Sequence, residues 1–193
     1  MITAKAFILI GGESKRFGSP KWKAVIDGKT VLDRIWDSCT EFENRFVVGK
    51  EKPSDLNKSF IQDELKLNAP INGLYTALKN AKTDWNLLLS CDLPLICSKV
   101  FENLWESKSE NCDAVIPISN GKMQVTCGLY HKRILPKMEH EIQKENYSLF
   151  KLLEKLNPTF VKFENDHRFW NMNTKKDYKK ILHIFPELDL FIY

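Results

Sequence analysis

The sequence predicts a doubly wound α/β fold: a mixed, mostly parallel sheet flanked by helices on both faces. Two observations carry the prediction. Short continuous apolar runs, such as residues 6–10, lack a polar alternation and read as strands buried on both sides. Between these runs, apolar residues recur at helical spacing, and strands alternating with helices favour a parallel sheet joined by right-handed crossovers. At 193 residues, 43% apolar and 28% charged, the chain is long enough for one well-covered core and short of two typical domains. Residues 1–193 are therefore read as a single domain.

The first strand, Ala6-Phe7-Ile8-Leu9-Ile10, ends on Gly11-Gly12. Val31, Leu32, Ile35, Trp36 and Cys39 mark a helix face, and Phe46-Val47-Val48, closed by Gly49, is the next strand. A brief strand at Phe60-Ile61, a helix face of Ile71, Leu74, Tyr75 and Leu78, and a strand at residues 85–89 repeat the unit. The second half is less regular, with strands expected at 114–116, 125–130 and 160–163 and helices at 99–105, 133–142 and 149–156. Thr174 stands three residues before Asp177, a variant of the capping box, and opens a last helix predicted to reach about His183.

The net charge of +4 fits an anionic small-molecule substrate and falls short of the basic stripe of a nucleic-acid binder. Cys39, Cys91, Cys97, Cys112 and Cys127 are odd in number and lack a paired C-x-x-C spacing, so free thiols in a reducing compartment are expected. The run at 6–10 is too short for a signal-peptide core, and none approaches the roughly 18 apolar residues of a bilayer span. A cytoplasmic protein follows, with no membrane association and no nucleic-acid partner.

In open α/β sheets, ligands bind beyond the carboxyl ends of the strands, so the segments after the buried runs come first. One is Gly11-Gly12-Glu13-Ser14-Lys15-Arg16-Phe17-Gly18-Ser19-Pro20-Lys21. Glycines allow close backbone approach, loop N–H groups can surround phosphate oxygens, and Arg16 and Lys21 supply positive charge. It matches neither G-x-G-x-x-G nor a P-loop, which disfavours a dinucleotide fold and a P-loop ATPase. The other is Cys91-Asp92-Leu93-Pro94 after the strand at 85–89. A carboxylate there suits magnesium, which takes one or two carboxylates plus substrate oxygens and water. Taken singly, each has a plainer reading: a glycine turn with solvated cations, and a helix-capping Asp.

Together, in this order and separation, the two segments resemble the GT-A-like nucleotidyltransferases, and most closely the molybdenum cofactor guanylyltransferases. The family pattern Leu-Ala-Gly-Gly-x-Ser-x-Arg-Met-Gly-x-x-Lys stands here as Leu9 to Lys21. The family's Asp with Gly-Pro-Leu-x-Gly is similar to Asp63 with Ala69-Pro70-Ile71-Asn72-Gly73, and its Cys-Asp-x-Pro is Cys91 to Pro94. Its Phe-x-Asn-x-Asn-Thr-x-x-Asp segment is similar to Phe169 to Asp177. Several departures matter: Ile10 replaces an alanine where the family backbone meets the base, Gly49 replaces an asparagine, and Ala69 a glycine.

The resemblance implies a Rossmann-like, GT-A-like fold and transfer of GMP from GTP to molybdopterin, with Mg²⁺ as cofactor. It assigns Arg16, Lys21 and Asp92 to catalysis, with Asp92 the metal ligand. Nucleotide or substrate binding falls to Leu9, Ile10, Gly11, Gly12, Lys21, Asp63, Pro70, Gly73, Asp92, Asn171 and Asn173. Lys82 and Lys122 are read as solvated, and no His shows ligand spacing. A monomer that exchanges cofactor with other cofactor-handling proteins is expected. CTP as donor, a sugar or alcohol phosphate as acceptor, and a non-catalytic nucleotide binder remain the alternatives.

Overall fold

The structure, a computed structural model, describes residues 1–11 and 16–188. Strand β1 (Ile2–Leu9) shows why its sequence is apolar throughout: Ala4, Ala6 and Ile8 enter one core and Phe7 another, on opposite faces of the sheet. Next comes a small hairpin of β2 (Val25–Ile26) and β3 (Lys29–Thr30), turned by Asp27 and Gly28 with φ of 48° and 73°. Helix α1 (Val31–Ser38) starts on Thr30, whose hydroxyl accepts the Asp33 N–H at 3.0 Å.

Strands β4 (Phe42–Gly49) and β5 (Phe60–Gln62) extend the sheet in parallel on one side of β1. The chain then returns through α2 (Pro70–Asn80) to β6 (Trp85–Ser90), parallel to β1 on its other side. That reversal of direction across the sheet opens a crevice between the carboxyl ends of β1 and β6.

The remainder comprises α3 (Ser98–Glu106), β7 (Ala114–Ser119), β8 (Lys122–Met123), β9 (Cys127–His131), α4 (Leu135–Gln143), α5 (Leu149–Leu153), β10 (Pro158–Phe163) and α6 (Lys175–Leu188). The described residues form an eight-stranded sheet in the order β10-β7-β9-β6-β1-β4-β5, with β8 paired to β7. β9 runs antiparallel between β6 and β7, which are themselves parallel to β1, so the sheet is mixed and mostly parallel as predicted. Helices α1, α3 and α6 cover one face, and α2, α4 and α5 the other.

Several boundaries differ from the sequence reading. The last helix passes His183 to Leu188, because Ile181 and Phe185, one turn apart, both bury in the core. The helix expected over 149–156 ends at Leu153, and residues 132–134 form a 3₁₀ turn before α4. The hairpins at Asp27-Gly28 and Asn120-Gly121 were not predicted as strands. Among the described residues, no helix is long and apolar enough to cross a membrane. All five cysteines are free, as expected.

Candidate active site

Hydrogen bonds tie the strand ends at the crevice into one frame. The Cys91 N–H donates to Leu9 O at 3.2 Å and the Ile10 N–H to Val48 O at 3.0 Å, so the segments leaving β1, β4 and β6 are held together. Asp92 follows β6 by two residues, and its backbone carbonyl accepts the Met172 N–H at 2.8 Å. This bond brings the distant segment Asn171 to Asn173 to the same place. Met172 between them is fully buried and anchors the segment.

Asn173 Oδ1 accepts from Lys21 Nζ at 2.7 Å. Burial lowers the pKa of Lys21 below the ordinary 10.5; Asp92 and Asp177 oppose the shift, and Arg16 adds to it. Three of the predicted charged groups therefore act on one another. Asp92 Oδ1 is itself buried and has no hydrogen-bond partner among the described residues. A buried carboxylate oxygen without a donor calls for a cation. Among the described residues no three of His, Cys, Asp and Glu gather as a metal cluster. A single carboxylate completed by phosphate oxygens and water is the donor set magnesium accepts.

Asp177 holds this arrangement from behind. Its Oδ2 accepts from the N–H groups of Asn173 and Thr174 at 3.0 and 2.7 Å and from Thr174 Oγ1 at 2.9 Å, while Thr174 Oγ1 accepts the Asp177 N–H at 3.2 Å. The predicted cap thus also fixes the asparagine that contacts Lys21. Arg16 is exposed at the near end of the loop, and Gly12 lies outside the described residues. Gly18 has φ of 81°, and a Cβ on it would stand 3.7 Å from Lys175 Cε, so α6 brings a further cation over the loop.

Beside the crevice, on the α2 face, lies a cavity of about 160 Å³ lined by Leu9, Gly11, Asp63, Pro70 and Gly73, all predicted binding residues. Gly11 is there without a packing reason: a Cβ on it would have no heavy atom within 4 Å. Gly73 is different, since its Cβ would meet Leu9 Cδ2 at 2.5 Å, and its absence lets α2 close on β1. Burial raises the pKa of Asp63, with Lys50 pulling the other way.

Lys50, Asn68, Ser90 and Thr126 also line the cavity and were not predicted. Ser90 directly follows the strand predicted at 85–89 and so had a positional signal; Thr126 arrives only because β9 is antiparallel and begins at this end of the sheet. Ile10 keeps its backbone at this strand end, and its side chain turns away from the cavity. Its side chain belongs to the opposite core, with Phe60, and its Cγ1 would lie 3.1 Å from a Cβ on Gly49. The bulk of Ile10 therefore fills the space that Gly49 leaves and is absent from the cavity lining. Asn171 is exposed and turns to a second cavity, while Asn173 faces Lys21. Cys91 is buried and its thiol is pushed up strongly by burial, which leaves it a neutral packing residue beside Asp92.

The sequence profile of the MobA-like NTP transferase domain matches residues 6–159. The chain belongs to the MobA-like NTP transferase family. Among relatives of this MobA-like transferase is a protein of Aquifex aeolicus named "Probable molybdenum cofactor guanylyltransferase", 37% identical over 183 residues, covering 92% of this chain and 90% of the relative. A Bacillus cereus protein of the same name is 32% identical, covering 89% and 92%. The solved molybdopterin-guanine dinucleotide biosynthesis protein A of Archaeoglobus fulgidus superposes with a TM-score of 0.81 at 22% identity, covering 95% of this chain and 99% of that one. That last likeness bears on the fold, the first two on the family.

Proposed function

We propose that this protein is a cytoplasmic molybdenum cofactor guanylyltransferase, moving GMP from GTP to the phosphate of molybdopterin with Mg²⁺ as cofactor. A phosphate oxygen of molybdopterin attacks the α-phosphorus of GTP, the bond from that phosphorus to the β-phosphate oxygen breaks, and pyrophosphate leaves with the bonding electrons. The names and coverage of the relatives support the substrates. The observation that carries the chemistry is the buried Oδ1 of Asp92, without a hydrogen-bond partner among the described residues, beside the Lys21–Asn173 pair at the crevice between β1 and β6.

In this reading Asp92 holds the metal. When bound, magnesium neutralises triphosphate charge and makes the α-phosphorus more open to attack. Lys21 and Arg16 offset charge on the triphosphate and the departing pyrophosphate, and Asn173 keeps the Lys21 ammonium aimed. The Gly11 backbone approaches the nucleotide closely because nothing projects from it. Leu9, Asp63, Pro70 and Gly73 border the nucleoside in the cavity. Positioning and fixed charge do most of the work, since phosphoryl-type transfer asks little covalent chemistry of the protein.

A thermal-shift panel of GTP, CTP, UTP and ATP with magnesium, followed by pyrophosphate release on adding molybdopterin, tests the proposal. Selective stabilisation by GTP with molybdopterin-dependent release is expected. A response to CTP alone, or tight binding of both substrates without product, overturns it.

A further inference from the structure

A second cavity, of about 370 Å³, opens between the β7–β8 hairpin and α6, on the α6 face of the sheet. Its walls include Ser119 and Lys122 from the hairpin, Gln124 just after it, Trp170 and Asn171 from the segment before α6, and Lys180 from α6. Of these, only Asn171 was expected to touch substrate.

Three features of the cavity point to a ligand. Ser119 is 2% exposed, and its Oγ is buried without a hydrogen-bond partner among the described residues. Native folds rarely leave a buried hydroxyl unpaired unless something else meets it. The Lys180 ammonium stands 3.7 Å over the centre of the Trp170 ring, so an exposed cation caps the indole face at this wall and can exchange that contact for a ligand's charge. Lys122 adds a second exposed cation on the opposite wall. The one carboxylate lining the cavity, Asp177, is already engaged with the backbone of Asn173 and Thr174. The hairpin wall is a tight two-residue turn, with Asn120 and Gly121 at φ of 50° and 72°.

The cavity also communicates with the charged centre through a single short segment. Asn171 lines the cavity, the next N–H is bonded to the carbonyl of Asp92, and Asn173 is bonded to Lys21. A ligand seated against Asn171 therefore lies beside the proposed metal and triphosphate, on the face of the sheet opposite the nucleoside cavity.

We propose that this second cavity binds the ring end of the acceptor, a reduced fused heterocycle that carries an anionic dithiolene beside its phosphate. The ring packs on Trp170 as Lys180 leaves the indole face, its polar edge takes Ser119 Oγ and Gln124, and Lys122 and Lys180 meet the dithiolene charge. Its phosphate then runs past Asn171 toward Asp92. The volume falls within the roughly 300–1,000 Å³ usual for small-molecule sites. The inference rests on molybdopterin being the acceptor.

The test uses the full chain carrying Lys122→Ala with Lys180→Ala, and separately Trp170→Leu and Ser119→Ala, assayed for pyrophosphate release while molybdopterin and GTP are varied in turn. The double lysine variant changes only exposed side chains, and its KM for molybdopterin should rise about tenfold or more with the KM for GTP unchanged. Trp170→Leu should shift the same constant. Ser119→Ala should do so with an unchanged or higher Tm, since it deletes an unpaired polar group. An unaltered acceptor KM in the lysine and tryptophan variants, with wild-type turnover intact, overturns the pocket and leaves the proposed reaction standing. If the wild-type protein binds GTP but releases no pyrophosphate with molybdopterin, the proposed reaction fails and the acceptor pocket fails with it.

Discussion

Ile10 and Gly49 form a complementary pair, and a double-mutant cycle measures it. Ile10→Ala removes three carbons from a half-buried side chain that packs on the α1-side core. Full burial would make the loss about 2–5 kcal/mol, so with partial exposure about 1–2 kcal/mol is expected. Gly49→Ala places a Cβ 3.1 Å from Ile10 Cγ1, tighter than ordinary contact, and overpacking of this kind costs about 1 kcal/mol or slightly more. Combined, the changes relieve each other, because the new methyl occupies part of the space the isoleucine vacates. The double variant should be about 1 kcal/mol more stable than the sum of the singles predicts. Urea unfolding resolves this as a midpoint about 0.5 M above the additive value. Because the Ile10 side chain faces away from the cavity proposed for the nucleoside, GTP affinity and the preference for GTP over CTP should not move in any of the three variants. Additive stabilities, or a change in nucleotide preference on Ile10→Ala, would refute the packing argument.

Asp92→Asn keeps the shape of the site and removes the charge that would hold a metal, so magnesium-dependent pyrophosphate release should fall roughly 100-fold or more with Tm preserved; near-normal turnover in a steady-state assay removes Asp92 from the metal role. Lys21 has a folded pKa below 10.5, so on raising the pH the native state loses this proton before the unfolded state does. Stability from this group therefore increases with pH through that window, while the cation proposed to meet the triphosphate is lost, and the alkaline limb of kcat/KM should begin below 10.5. Lys21→Arg should move that limb upward; an unmoved limb would assign it to another group. Asp63 has the opposite sign: its folded pKa is raised above 3.8 by burial, so its contribution to stability declines as pH rises through that window, and the ionised form is a net cost at neutrality. Asp63→Asn should hold or raise Tm at pH 7 while weakening GTP binding, and a lower Tm in the thermal-shift assay would contradict the burial argument.

The first half of the fold was readable because its strands are enclosed on both faces and its helices are amphipathic. Residues 6–10 and 85–89 could hardly be anything but interior strands, and the two candidate binding segments follow directly from them. Long-range placement was another matter. Nothing local in Asn171 to Asn173 indicates that Met172 will bond to the carbonyl of Asp92, and only the family pattern linked the segments. The two hairpins did carry local signals, Asp27-Gly28 and Asn120-Gly121, but their strands are two residues long or poorly alternating and so escaped a reading based on periodicity. The side-chain direction of Ile10 follows from alternation continued just past the strand: Leu9 and Gly11 line the cavity on the α2 face, and the Ile10 side chain between them looks the other way.

The antiparallel course of β9 has a mechanical consequence. The three residues ahead of it divide the two cavities, with Gln124 on one side and Thr126 on the other. This partition is pinned at each step: the Gln124 N–H to Pro117 O at 2.9 Å, Val125 O to the buried Tyr130 hydroxyl at 2.6 Å, and Thr126 O to the Ser90 N–H at 2.8 Å. Two residues of extended chain span about 7 Å. A partition that thin and that firmly braced acts as a spacer of fixed gauge, so two molecules seated on either side would meet at a distance set by the scaffold and not by a closing motion.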